Sequence, residues 1–170
     1  MKQTDNGEKI GQGMIYITWM LFLGILTYAF NDYLEQQNNP NKNVDSRIEN
    51  QNVEVKLRQN RYGHYVVNGK INQKPVTFLL DTGATIISIP ETIARQLELA
   101  KGYPVQIRTA NGSVEVFTTK LDSVSIGAIE INNIRATINP YMEGDEILLG
   151  MNFLKHMEMI QKGKELILRY

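Results

Sequence analysis

The sequence predicts an all-β globular domain with two short helices, preceded by one transmembrane helix. Three observations predict it. From Val53 onward short apolar runs recur with turn signals between them; only two stretches there carry helix start or stop signals; and the run from Gly11 to Phe30 is uncharged and apolar enough for a bilayer core. With 170 residues, 42% of them hydrophobic and 21% charged, the chain suits one ordinary domain and an appendage.

Taken in chain order, residues 1–10 form a tail and residues 11–30 the membrane helix. About 20 residues at the helical rise cross a hydrocarbon core, and Tyr16, Trp19 and Tyr28 lie towards the ends of the run, where amphipathic rings prefer the interface. A cleaved signal peptide is the rival, with Thr27-Tyr28-Ala29 as its cleavage site, but such a peptide has an apolar core of only about 7 to 15 residues. Lys2 and Lys9 precede the span while Asp32 and Glu35 follow it, so the positive-inside bias puts the N-terminus in the cytoplasm. Residues 31–52 turn polar around Gln36-Gln37-Asn38-Asn39-Pro40-Asn41 and read as a flexible linker.

The domain proper occupies residues 53–170. His64–Ile71 and Pro75–Leu80 read as paired strands with a turn at Asn72-Gln73-Lys74, Asn68-Gly69 being a competing turn position. Val105–Thr109 and Val114–Thr119 flank Asn111-Gly112, a dipeptide suited to a type I′ hairpin because both central residues need positive φ. Leu121–Ile126, Ile129–Ile131 and Ile134–Ile138 continue the strand pattern, punctuated by Gly127 and Asn132-Asn133, and Glu165–Arg169 is the last strand. The helices are Glu91–Leu99, which follows Pro90, and Asn152–Met157, which follows Gly150.

Composition removes several chemistries. Eighteen basic and eighteen acidic residues cancel, so no general field favours nucleic acid. The absence of cysteine excludes disulfides, thiolate nucleophiles and cysteine-ligated zinc. His64 and His156 are isolated from any carboxylate pattern of a zinc site, and no metal or cofactor is expected.

What remains is a carboxylate. Phe78-Leu79-Leu80-Asp81-Thr82-Gly83-Ala84 sets an acid directly after an apolar strand and before a glycine, as expected of an acid held rigidly at the edge of a core. Ile147-Leu148-Leu149-Gly150 repeats the apolar-to-glycine pattern, with Asn111-Gly112 roughly midway, the layout of an internally pseudo-symmetric half. Asp122 and Asp145 lack the apolar lead-in and the following Thr-Gly, and read as solvated loop residues.

In Asp81–Ala84, Thr109–Gly112 and Leu148–Leu154, the sequence resembles the retropepsin-like aspartic proteases, and most closely their bacterial, membrane-anchored group. The resemblance covers about Tyr65 to Tyr170. It implies a closed β-barrel of the acid-protease fold and an endopeptidase that needs no cofactor. It also implies Asp81 as catalytic residue, with Thr82, Gly83 and Ala84 as its loop, and Ala110, Asn111 and Gly112 as a flap over a peptide or protein substrate. Thr82 would brace two such loops across an interface and Gly83 would meet the peptide backbone.

Peptide hydrolysis in this class takes two carboxylates sharing a proton, and one Asp-Thr-Gly is present, so the second is expected from Asp81 of another chain in a C2 homodimer. The location implied is a single-pass bacterial inner-membrane protein with a periplasmic domain. Many retroviral members carry an acid soon after Asp-Thr-Gly-Ala and an arginine after the second glycine; here Thr85 or Ile86 and Met151 stand there. Both partners of that ion pair are lost together, which strands no charge but changes the substrate grip, with Thr85 and Ile86 lining pockets. The alternative to an enzyme is a module of the same fold that binds peptides or dimerises without cutting.

Overall fold

The computed structural model describes residues 6–49, 52–109 and 112–170, and the chain divides after Gln37 into two compact units. The first is one helix, α1 (Asn6–Asn38). Its stretch Gly13–Asn38 contains 18 successive residues of mean hydropathy 1.7 and is long and apolar enough to cross a membrane, and its large apolar side chains from Met14 to Phe30 are exposed. The helix outruns the predicted span. Leu34, Glu35, Gln36 and Gln37 are good helix formers, and Gln36 Nε2 donates to Asp32 Oδ2 one turn back at 3.0 Å. Pro40 then disfavours helical geometry at Asn39.

The second unit is built from β1 (Asp45–Glu49), β2 (Asn52–Arg58), β3 (Val66–Ile71), β4 (Lys74–Leu80), β5 (Ile87–Pro90), α2 (Glu91–Gln96), β6 (Pro104–Thr109), β7 (Gly112–Ile126), β8 (Ile129–Asn139), β9 (Glu146–Leu149), α3 (Met151–Leu154), β10 (Glu158–Lys162) and β11 (Glu165–Arg169). One sheet has the order β1-β2-β11-β10 and the other β3-β4-β9-β5-β8-β7-β6. The larger sheet curls until β3 meets β7, over two residue pairs only, Lys70 with Ser125 and Ile71 with Val124. The join between β5 and β9 is narrower still, a single pair of Ser88 and Leu148. The result is the expected barrel-like β fold with thin seams rather than a continuous closed ladder.

The polar stretch expected to be an unstructured linker is not one: α1 runs to Asn38 and β1 occupies Asp45–Glu49. Between them Asn41 is buried, its Nδ2 donating to the Arg58 and Val66 carbonyls at 2.9 and 2.7 Å and its Oδ1 accepting from the Arg58 N–H at 2.7 Å. A satisfied buried amide can anchor a segment that has almost nothing apolar to bury.

Turn chemistry places the hairpins. Asn72 and Gln73 both have positive φ and join β3 to β4, while Gly69 of the competing Asn-Gly stays in the ladder opposite Val76. Thr109 pairs with Gly112, so Gly112 opens the return strand instead of forming the centre of the turn; Ala110 and Asn111 lie outside the described residues. Asn132-Asn133 does not break the chain as expected. β8 runs through it with Asn133 at φ 55, because its ladder with β7 keeps one register on both sides.

Alternation puts Phe78, Ile87, Ile89, Ala136, Ile138, Ile147 and Leu149 on the core face of the larger sheet, joined by Val55, Leu57, Leu166 and Leu168 of the smaller one. Full burial of each larger side chain contributes about 1.5–3 kcal/mol before entropy is counted. Arg169 ties the smaller sheet on its outer side, donating to Glu54 on β2 and to Glu158 on β10, its register partners.

Candidate active site

The two apolar-to-glycine runs lie side by side. β4 and β9 pair in parallel, Phe78 with Ile147, Leu79 with Leu148 and Leu80 with Leu149, so Asp81 and Gly150 leave neighbouring strand ends together. The Asp81 N–H donates to the Leu149 carbonyl at 3.2 Å, carrying the pairing one residue further. Asp81 is therefore fixed by the sheet, as its apolar lead-in predicted.

The loop then folds back on the acid. The Gly83 N–H donates to Asp81 Oδ1 at 2.8 Å and the Ala84 N–H to the Asp81 carbonyl at 3.2 Å. Asp81 is half-buried, while Thr82 and Gly83 are exposed. α3 clamps the far side of the loop: Met151 and Asn152 donate their N–H groups to the Ala84 and Thr85 carbonyls at 2.7 and 3.0 Å. Asn152 Oδ1 accepts from the Ile87 N–H at 3.0 Å, and its Nδ2 donates to the Arg135 carbonyl at 2.7 Å.

Gly150 is where the two pieces touch. A Cβ there would come within 2.7 Å of the Ile86 carbonyl and 2.8 Å of the Ala84 carbonyl oxygen, so only glycine lets the backbones approach. Thr85 or Ile86, and Met151, which stand where many retroviral members hold an ion pair, are thus on segments joined by backbone hydrogen bonds.

Asp81 opens into a cleft of about 570 Å³ that Gly83, Ala84, Thr85, Ile86, Ser88, Ile107, Arg108, Thr137, Asn139 and Leu148 also line. Of the residues singled out in the sequence, the structure thus brings Asp81, Gly83, Ala84, Thr85 and Ile86 together; Thr82 is exposed beside them, and Gly112 lies at the start of β7 outside the lining. A larger cavity of about 910 Å³ shares Ile86, Ile107 and Thr137 with this cleft, but its titratable lining residues are Lys101, Tyr103, Lys120 and Arg135, with no carboxylate. Asp122 is on a strand rather than in a loop, and it and Asp145 are exposed.

Asn152, Ser88 and Arg108 were not singled out from sequence. Asn152 stands inside the run Leu148–Leu154. Ser88 had one signal, a hydroxyl inside the apolar run Ile86-Ile87-Ser88-Ile89.

A carboxylate on an Asp-Thr-Gly loop, at the end of one of two parallel strands and braced by a glycine-opened helix, defines a site of the acid-protease kind. The family model described as "gag-polyprotein putative aspartyl protease" matches residues 67–156. An uncharacterised protein in the cobV 5′ region of a Sinorhizobium species is 35% identical over 120 residues, 68% of this chain and 52% of that protein. The uncharacterised protein RP867 of Rickettsia prowazekii (strain Madrid E) is 30% identical over 118 residues, 68% of this chain and 50% of that protein. The chain spans about half the length of these curated relatives. The crystal structure of a retropepsin-like aspartic protease from Rickettsia conorii matches with a TM-score of 0.62 and 29% identity, over 75% of this chain and 96% of that one. The chain belongs to the retropepsin-like aspartic protease family.

Proposed function

We propose that the protein is a membrane-anchored aspartic endopeptidase whose active site forms from two copies of Asp81 in a homodimer. The observation that carries this reading is the Asp81 carboxylate itself, fixed by β4 and the Gly83 N–H at the mouth of a cleft large enough for peptide side chains. One Asp81 carboxylate takes a proton from water as it attacks the scissile carbonyl. The other, protonated, donates to the carbonyl oxygen, and the proton then passes to the leaving amine. The peptide lies extended between the loop and the Thr109–Gly112 hairpin, which acts as a flap that excludes water. The exposed Thr82 side chains brace the two loops.

α1 anchors the protein, and Lys2 and Lys9, which precede its apolar stretch, favour a domain on the periplasmic side of a bacterial inner membrane. Digestion of the domain by protease added to intact spheroplasts, with no digestion in intact cytosol controls, checks that side.

The full chain in detergent micelles, given a diverse peptide library at mildly acidic pH, is expected to cleave, and Asp81→Asn to lose cleavage by at least about a thousandfold. Equal cleavage by the variant overturns the aspartic mechanism. Peptide binding without cleavage by the unaltered chain points instead to a binding module.

A further inference from the structure

Across the larger sheet the register sets up a row of side chains on the face opposite the core: Leu79, Leu148, Ser88 and Thr137 are successive partners on β4, β9, β5 and β8. Asp81 and Ile86 lie two residues along from members of this row, and Asp81, Ile86, Ser88, Thr137 and Leu148 all line the cleft. The two hydroxyls in the row differ. Thr137 Oγ1 donates to the Ile87 carbonyl at 3.3 Å. Ser88 is 6% exposed, and its Oγ has no hydrogen-bond partner among the described residues.

An unpartnered hydroxyl in a cleft wall rewards a ligand that completes it and penalises one that leaves it dry. We infer that Ser88 forms a polar subsite that selects peptides bearing an uncharged hydrogen-bonding side chain, a hydroxyl or carboxamide, beside the scissile bond. The inference rests on the peptidase reading above. Ser88 can both donate and accept, which suits threonine, asparagine or glutamine. Ile86, Leu148 and Ile107 supply apolar walls for the stem of such a side chain. An acidic side chain fits poorly, because the cleft's lining cation among the described residues, Arg108, is exposed to water.

The test compares the full chain in micelles with Ser88→Ala and Ser88→Thr on peptides that differ only near the cut, pairing asparagine with leucine and threonine with valine. The unaltered chain is expected to favour the polar member about tenfold in kcat/KM, Ser88→Ala to cut both members alike, and Ser88→Thr to keep the preference. Unchanged selectivity in Ser88→Ala, with cleavage intact, overturns the subsite and leaves the peptidase reading standing. A preference for acidic residues that Arg108→Gln removes also overturns it. If the unaltered chain cuts none of the peptides, the peptidase reading fails, and binding of the same pairs to the immobilised chain decides the subsite. Polar selectivity lost in Ser88→Ala sustains it, and equal binding overturns it.

Discussion

At Glu146, the first residue of β9, burial and the neighbouring Asp145 both disfavour the ionised carboxylate and raise its pKa, and His64 offsets them only in part. A raised folded-state pKa means that the folded chain holds this proton more tightly than the unfolded one. The fold therefore gains from Glu146 as pH falls, and is penalised as pH rises from the ordinary carboxyl value through the raised one. Glu146→Gln removes that penalty. It is expected to raise the melting temperature at pH 7 and to leave it unchanged below about pH 4, where the glutamate is protonated in both states; equal shifts at both values would show that charge is not the cause. Residues of this kind differ in legibility. Asp81 was readable because strand, acid and glycine are contiguous. Ser88, Asn41 and Asn152 were not, because what makes each matter is a partner strand or carbonyl distant in the sequence.

Among the elements, the loop Asp81–Ile86 and α3 act as one unit joined at Gly150. Gly150→Ala drives a methyl into the Ala84 and Ile86 backbones, an overpacking that costs about 1–3 kcal/mol. Since those carbonyls belong to the Asp81 loop, the cost falls on geometry as well as stability, and cleavage is expected to drop about a hundredfold. The paired measurement is melting temperature and kcat at a temperature where the variant is still folded; a lowered melting temperature with unchanged kcat would show that the loop tolerates the shift. The sequence made β3, β4, β6, β8, β11, the apolar run of β9 and both short helices visible, through apolar runs and the breakers Pro90 and Gly150, but not β2, β5 or β10. It did not reveal β1, whose residues Asp45–Ile48 are exposed and are held by backbone pairing to β2. Nor did it reveal the continuity of β7, because a long curling strand alternates between neighbours and loses a clean period of two.

For the molecule as a whole, the described chain brings one Asp81 to its cleft, so activity is expected to depend on pairing. Adding an equal amount of Asp81→Asn chain to a fixed amount of unaltered chain, with time to exchange, should lower cleavage to about half, as mixed dimers form statistically. Undiminished cleavage would show that one chain suffices. Anchoring by α1, as proposed above, would favour pairing, since tethered chains share a thin layer and meet at a higher effective concentration than free ones.

The parallel pairing of β4 with β9 carries a consequence for synthesis. Asp81 leaves the ribosome well before the strand that positions it and the helix that clamps its loop, and contacts between such distant segments form late. Until β9 and α3 emerge, a nascent chain thus carries its Asp-Thr-Gly without a site to hold it. The geometry proposed to cut is complete only once β9 and α3 have followed Asp81 out of the ribosome and paired with its strand and loop.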